Sequence, residues 1–145
     1  MAYFAATPRR VEFSDTDMAG IAHFSAFFRW MEAAEHELLR SIGLSVFTRF
    51  DEGLPTEHAI SFPRVHAECD YQSPAKCDDE LTIGVTVERI GTKSVSYGFF
   101  FTAGDRQIAT GKMTSVCCKI VPGSPPDPTP LSEAIAEKLR FFSAG

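Results

Sequence analysis

The stretch from Ser25 to Ile42 has the periodicity of one long helix that is apolar around most of its girth. Ser25 suits the N-cap position, and Gly43 supplies a stop signal. The apolar positions form a central stripe with flanks on both sides: Phe27, Met31, Ala34 and Leu38, flanked by Trp30, Leu39 and Ile42. A helix with so wide an apolar arc must be covered on most sides. The rest of the chain therefore has to supply a surface that wraps around this helix.

After the helix, the chain changes to the two-residue period of β-strands. Alternation is clearest in residues 81–87 and 95–101, which a short turn joins. A further strand is predicted from His58 to Tyr71, and its apolar phase slips at Pro63, as it would at a bulge or a sheet edge. Another is predicted from Gln107 to Val121, with the weak alternation typical of burial on both faces. Because hairpin turns join most of these strands, the sheet should be antiparallel.

One short strand, predicted from Arg9 to Phe13, precedes the helix, so the predicted fold class is α+β. A proline-rich stretch and a helical pattern from Leu131 to Phe142 end the chain. We predict one domain, in which residues 1–121 form the core and residues 122–145 form a proline-rich linker and a peripheral helical tail. A chain of 145 residues can bury a core without help from a metal or a disulfide.

Charge and cysteine content argue against several classes of protein. The net charge is −5 and no basic run occurs, so we expect no nucleic-acid partner. We also expect no membrane association and a cytoplasmic location, because no uncharged stretch could cross a bilayer and no signal-peptide core is visible. The four cysteines lack C-x-x-C spacing and are interpreted as reduced thiols. No metal site is predicted.

The stretch most informative about function lies directly before the helix, from Phe13 to Phe24. Two carboxylates, a glycine and a histidine fall within nine residues there: Asp15, Asp17, Gly20 and His23. A helix N-terminus presents free backbone N–H groups and a positive dipole end, which stabilise an oxyanion. A carboxylate just before it could attack a polarised carbonyl or activate water towards it. The pattern therefore indicates an acyl-transfer site.

These residues resemble the motif of hotdog-fold acyl-CoA thioesterases of the 4-hydroxybenzoyl-CoA thioesterase type. The motif lies in Val11–Ile21 and reads aspartate, any residue, aspartate, two residues, glycine and a branched aliphatic residue. The resemblance continues through Phe28–Glu32, Tyr71–Pro74 and Asp79–Ile83, and it covers roughly residues 8–121. It implies a five-stranded antiparallel sheet wrapped around a long central helix. It also implies a homodimer that pairs two sheets, often within a homotetramer, with the active site at the dimer interface.

The same resemblance implies hydrolysis of an acyl-CoA to CoA and a free carboxylic acid. The family's catalytic carboxylate maps onto Asp17, as nucleophile or as general base, although an aspartate here could also only cap the loop. The oxyanion donor maps onto the backbone N–H of Phe24. Gly20 is expected to adopt a positive φ or to let the thioester approach closely. No cofactor is implied beyond the CoA part of the substrate. A non-catalytic acyl-CoA sensor or scaffold is the alternative.

Several other residues allow two interpretations. His23 could assist the chemistry, or it could pack and bond backbone near the interface. Arg89 and Lys93 bracket a turn where relatives place cations for the CoA phosphates, although surface cations often serve only solubility. Glu35 interrupts the apolar arc and is either a partnered acid at the subunit interface or a pocket acid; buried acids are usually paired. Asp15 is interpreted as structural. An aromatic acyl group and a short or medium aliphatic chain both fit a phenylalanine-rich pocket.

Overall fold

One long helix and an antiparallel sheet make up most of the structure, a computed structural model that describes residues 3–44, 60–120 and 123–143. In chain order the elements are β1 (Phe4–Ala5), β2 (Arg9–Arg10), α1 (Ala26–Ser41), β3 (Ile60–Ser61), β4 (Arg64–Tyr71), β5 (Glu80–Ile90), β6 (Ser94–Ala103), β7 (Arg106–Val116), β8 (Cys118–Lys119), β9 (Asp127–Pro128) and α2 (Glu133–Arg140). The α+β class predicted from the sequence is confirmed.

The main sheet has the strand order β1-β5-β6-β7-β4, and all its pairs are antiparallel. Strands β1 and β2 both pair with β5, as two pieces of one edge position, so the sheet has five strand positions. The hairpin-linked strands β5, β6 and β7 form its centre. Strand β4 forms the other edge, and β3, β8 and β9 form a separate small sheet. This is the five-stranded antiparallel arrangement expected from the resemblance.

Helix α1 lies against one face of this sheet. It begins after Ser25 and ends before Ile42, as its periodicity predicts. Its buried positions are Ala26, Phe27, Trp30, Met31, Ala34, Glu35, Leu38 and Leu39. They join a core with the inward residues of the central strands, among them Leu81, Ile83, Val85, Phe99 and Phe101. Burying this apolar surface is the main force that holds the helix on the sheet.

The packing between helix and sheet is tight at Gly111 of β7. A Cβ atom added there would lie 2.3 Å from the Sδ atom of Met31 and 3.1 Å from the carbonyl oxygen of Glu68. Both distances are shorter than a normal van der Waals contact. Glycine at this position therefore lets α1 approach the sheet closely.

Replacing Gly111 by alanine is expected to lower the free energy of unfolding by about 1–3 kcal/mol, the usual cost of overpacking a core. Urea denaturation measures this loss. Because the clash is with the side chain of Met31, Met31→Ala should cost less in the Gly111→Ala background than in the wild type. Additive effects of the two substitutions would contradict this explanation.

The structure differs from the sequence predictions in two strands. Of the strand predicted from Arg9 to Phe13, only Arg9–Arg10 (β2) is a strand in the described structure, and Phe13–Asp15 forms a 3-10 helix. The carboxylate of Asp15 accepts a hydrogen bond from the N–H of Glu12 at 2.9 Å, which stabilises this turn. The strand predicted to Val121 ends as β7 at Val116, and one of its faces is half-exposed rather than buried.

The prediction of a phase slip at Pro63 is confirmed. This proline separates β3 from β4, and the register of β4 with β7 shifts between Arg64 and His66. Proline lacks the N–H that a strand ladder needs, which explains the break between β3 and β4.

The link predicted from Leu44 to Pro55 lies outside the described residues except for Leu44. The first two residues of the strand predicted from His58 to Tyr71 also lie outside them.

The C-terminal segment packs onto the domain core. Strand β9, within the predicted proline-rich linker, pairs with β8. Helix α2 confirms the predicted helical pattern, and its side chains Ala136 and Leu139 are buried. After α2, the carbonyl of Phe142 accepts a hydrogen bond from the N–H of Val87 at 2.8 Å. The segment thus lies against β5, while the domain division at residue 121 stays a prediction.

Candidate active site

A cavity of about 400 Å³ opens between the start of α1 and the segment that follows β4. Its lining residues are Asp17, Ile21, Ala22, Phe24, Phe27, Tyr71, Gln72, Ser73, Pro74 and Ala75. Most of these side chains are apolar or aromatic, which suits an uncharged organic group. Asp17 and Phe24, two of the four candidate catalytic residues, therefore lie in the wall of one cavity.

Asp17 begins a tight turn that holds its carboxylate. Its Oδ1 atom accepts a hydrogen bond from the N–H of Ala19 at 2.8 Å, and its carbonyl accepts one from the N–H of Gly20 at 3.0 Å. Gly20 has a φ of +80°, and a Cβ atom there would meet nothing within 4 Å, so the backbone conformation rather than space requires glycine. Within the described chain the Oδ2 atom of Asp17 has no hydrogen-bond partner. That oxygen is available to water or a substrate.

The turn that leads into α1 leaves the N–H of Phe24 unpaired. The N–H of His23 donates to the carbonyl of Asp15 at 2.7 Å, and the N–H of Ala26 donates to the carbonyl of His23 at 2.9 Å. The N–H of Ser25 donates to the Nδ1 atom of His23 at 3.2 Å. Among the residues that the structure describes, Phe24 has no acceptor for its N–H. This N–H lies at the positive end of the α1 dipole, where it can donate to an oxyanion.

His23 stabilises this turn. Besides accepting the Ser25 N–H, its Nδ1 atom lies 2.8 Å from the Oγ atom of Ser25, and its ring stacks on the ring of Phe24 at 4.4 Å between centroids. His23 is not among the residues that line the cavity. Its contacts agree with the packing interpretation, and a part in the chemistry stays a prediction.

The opposite wall of the cavity is braced by Arg106 of β7. Its guanidinium donates to the carbonyl of Pro74, to the Oγ atom of Ser73 at 3.2 Å and to the carboxylate of Asp79 at 3.4 Å. The two walls are also joined directly, since the N–H of Ala22 donates to the carbonyl of Ala75 at 2.7 Å. Sequence reasoning missed Arg106, because its partners lie 27 to 33 residues away along the chain.

Glu35 lies outside this cavity, in the core of the protomer. Its side chain is 1% exposed; Oε1 pairs with the guanidinium of Arg64, and Oε2 accepts a hydrogen bond from the Oγ atom of Ser115 at 2.8 Å. Burial raises the pKa of Glu35, while Arg64 and Ser115 act in the opposite direction. Of the two interpretations of Glu35, the partnered acid is confirmed. The expected location at a subunit interface is wrong, because the residue is enclosed within one chain.

Arg89 and Lys93 lie far from the cavity of their own chain. Both are exposed, at the turn between β5 and β6. The other end of β5 pairs with β2, through Glu80 and Arg10, next to the Asp17 loop. A strand rises about 3.3 Å per residue, so Glu80 and Arg89 are about 30 Å apart. The predicted phosphate contacts would therefore need a second chain.

Three further observations bear on the class of protein. Within residues 3–44, 60–120 and 123–143, no three His, Cys, Asp or Glu side chains lie close enough together to hold a metal ion. The four cysteines all lie in this described part, and none forms a disulfide. Neither helix described is long and apolar enough to cross a membrane.

Comparison with known proteins agrees with this architecture. The family model of the thioesterase-like superfamily matches residues 11–139. A 1,4-dihydroxy-2-naphthoyl-CoA hydrolase from Synechococcus sp. (strain CC9605) is 32% identical over 108 residues, which are 74% of this chain and 72% of the relative.

Two solved structures extend the likeness to nearly the whole chain. A gentisyl-coenzyme A thioesterase superimposes with a TM-score of 0.76 at 26% identity, covering 92% of this chain and 98% of the other. A 4-hydroxybenzoyl-CoA thioesterase, in an aspartate-to-asparagine mutant complexed with 4-hydroxybenzoyl-CoA, superimposes with a TM-score of 0.81 at 21% identity, covering 96% and 99%. This chain therefore belongs to the thioesterase-like superfamily and is a thioesterase of the hotdog fold.

Proposed function

We propose that this chain hydrolyses aryl-CoA thioesters to CoA and the free aromatic acid. The observation that carries the proposal is the shared cavity: Asp17 and Phe24, whose N–H has no acceptor within the described chain, both line a largely apolar space. A thioester carbonyl bound between them would meet both a nucleophile or base and an oxyanion donor. Those are the two parts that acyl transfer to water needs.

Two routes use the same groups. In the first, the Asp17 carboxylate attacks the carbonyl carbon, the CoA thiolate leaves, and water hydrolyses the resulting mixed anhydride. In the second, Asp17 takes a proton from water while the water oxygen attacks. In both, the Phe24 N–H and the α1 dipole stabilise the negative charge on the carbonyl oxygen. Removing one such donor costs roughly 3 kcal/mol of transition-state stabilisation.

The aromatic acyl group is favoured by the cavity walls and by the relatives. The rings of Phe27 and Tyr71 line the cavity and meet edge to face at 5.2 Å between centroids, and Phe24 lines it as well. Aromatic rings prefer such edge-to-face or offset neighbours, so a flat aryl group gains more here than a flexible chain does. Names of relatives include dihydroxynaphthoyl-CoA and gentisyl-CoA as substrates.

We further propose that the enzyme works as a homodimer joined along β4, which can assemble into a homotetramer. In the described part of the chain β4 pairs with β7 alone, and its side chains Val65 and Tyr71 are 65% and 46% exposed. An edge strand with unpaired backbone groups is a template for another strand. Antiparallel pairing of two copies of β4 would place the Arg64 end of one beside the Tyr71 end of the other. The turn that carries Arg89 and Lys93 would then be at the same end of the joined sheet as the partner's cavity.

Val65→Lys is expected to shift the protein towards monomer, because a charge would be placed in the apolar dimer contact. Sedimentation velocity measures the change. His66→Lys is the matched control, because it introduces the same side chain one residue away, where the native side chain is already polar and exposed. A dimer that survives Val65→Lys at the same dissociation constant would contradict the proposed interface.

The experiment that tests the function is CoA release from a panel of benzoyl-, hydroxyaryl-, short-chain and long-chain acyl-CoAs. We expect the highest kcat/KM on a hydroxyaryl-CoA. A preference for aliphatic chains would overturn the aryl assignment and leave the thioesterase intact. Tight binding of acyl-CoA without turnover of any substrate would instead favour the sensor or scaffold.

A further inference from the structure

Tyr71, at the end of β4, contacts the start of α1 with its hydroxyl group. This O–H donates to the carbonyl of Phe24 at 2.8 Å, across 47 residues of sequence. The ring is held edge to face against Phe27 at 5.2 Å. The bond therefore ties the last residue of an edge strand to the residue that carries the proposed oxyanion donor.

Different hydrogen bonds hold the two peptides on either side of Phe24, in the turn that leads into α1. The Phe24 N–H belongs to the peptide between His23 and Phe24, whose carbonyl accepts a hydrogen bond from the N–H of Ala26 at 2.9 Å. On the C-terminal side, the hydroxyl of Tyr71 is the donor that the Phe24 carbonyl has within the described chain. Without it, the peptide between Phe24 and Ser25 loses this restraint, and the backbone dihedrals of Phe24, which set the direction of its N–H, are less constrained. An oxyanion donor is effective only when its direction is set before the reaction.

The phenol is suited to this task. A phenol is already neutral at physiological pH, and the partial burial of Tyr71 raises its pKa further, to about 12, so the group is an O–H donor there. A phenolate would repel the carbonyl oxygen instead of bonding to it.

We infer that Tyr71 is a positioning residue for the reaction: its hydroxyl holds the carbonyl of Phe24, in the peptide next to the one that carries the Phe24 N–H, so that this N–H meets the carbonyl oxygen of the bound thioester. The inference rests on the proposed function. Tyr71, the last residue of β4, thus orients the N–H that stabilises the transition state, in addition to lining the cavity.

The kinetic test compares Tyr71→Phe with the wild type on the best substrate of the acyl-CoA panel. The substitution keeps the ring against Phe27 and removes only the O–H. We expect kcat to fall about tenfold, the scale of one hydrogen bond that acts through another group. The KM should stay within about twofold, since binding of the ground state does not use the oxyanion contact. Tyr3→Phe, the same change on an exposed tyrosine whose ring meets Phe100, should leave kcat unchanged.

A structural readout independent of activity is the carbonyl signal of Phe24. Labelling Phe with ¹³C at the carbonyl and Ser with ¹⁵N selects the Phe–Ser peptide bonds, which occur at 13–14, 24–25 and 142–143. In Tyr71→Phe the signal of the 24–25 pair should move upfield in the carbon dimension, and the other two should stay in place.

The outcomes separate this inference from the proposed function. An unmoved 24–25 signal, or a moved signal with unchanged kcat, would overturn the positioning role while the wild type still hydrolyses thioester. Loss of kcat accompanied by a large fall in melting temperature would also overturn it, because the bond would then be structural. A wild type without turnover on the whole panel would overturn the proposed function, and the role of Tyr71 in it.

Discussion

Asp17→Asn is expected to bind acyl-CoA as the wild type does and to lose turnover by about a thousandfold, within the range that a positioned acid or base contributes. The amide has nearly the shape of the carboxylate, and its oxygen can still accept the hydrogen bond from Ala19 that the Oδ1 atom accepts now. It cannot attack a carbonyl or take a proton from water. The turn and the cavity should therefore survive, while the chemical step fails.

The measurement is CoA release under saturating substrate, with a protein-only blank because the four cysteines of the chain react with thiol reagents. Asp15→Asn is the matched control, because it makes the same change two residues away. The carboxylate of Asp15 accepts a hydrogen bond from the Glu12 N–H and lies 3.5 Å from the guanidinium of Arg29. We expect this control to retain kcat. An Asp17→Asn variant with wild-type kcat would refute both chemical routes.

Arg64→Met is expected to lower the free energy of unfolding by about 3–5 kcal/mol at pH 7, the usual cost of removing one partner from a buried ion pair. It leaves the carboxylate of Glu35 enclosed, with the hydroxyl of Ser115 as its remaining donor. Denaturant titration measures the loss. The double variant Glu35→Gln/Arg64→Met should recover part of it, because no uncompensated charge is then buried.

The pH dependence of this loss follows from the direction of the Glu35 shift. Burial raises the pKa of Glu35 above its ordinary value of 4.5, so the folded protein binds this proton more tightly than the unfolded chain does. The stability from this proton is complete below pH 4.5 and is lost as pH rises through the folded pKa. The ionisable groups around Glu35 include Arg64, Glu32 and His36. Burial and Arg64 lower the pKa of His36. The guanidinium of Arg64 is therefore the main positive charge that opposes the rise in the Glu35 pKa.

Glu35→Gln serves as the reference for this effect. The difference in unfolding free energy between wild type and Glu35→Gln should fall as pH rises above about 4.5. In the Arg64→Met background this difference in unfolding free energy should continue to fall at higher pH, because the guanidinium that lowers the pKa of Glu35 is absent. A loss below 1 kcal/mol for Arg64→Met, with no dependence on pH, would show that Glu35 is not held as a buried carboxylate.

The sequence alone determined the parts of this protein that depend on neighbours in the chain. Helix α1 begins and ends within a residue of its predicted ends, because its apolar period and its glycine stop signal lie in one segment, although the Ser25 side chain does not cap the helix. The hairpin strands β5 and β6 follow from alternation, and the start of β7 follows from the turn residues before it. The Asp17 turn and the positive φ of Gly20 are likewise local. Periodicity and turn chemistry act over a few residues and are therefore visible in the sequence.

The tertiary structure alone decided which distant side chains meet. Glu35 finds Arg64 across 29 residues, and Tyr71 finds the Phe24 carbonyl across 47. It also placed Arg89 at the far end of the sheet from Asp17, although a motif resemblance assigned both to one site. Such contacts depend on strand register and on how the helix crosses the sheet, since a shift of one residue turns every side chain of a strand to the other face. Register follows from the packing of the whole core, so no local pattern encodes it.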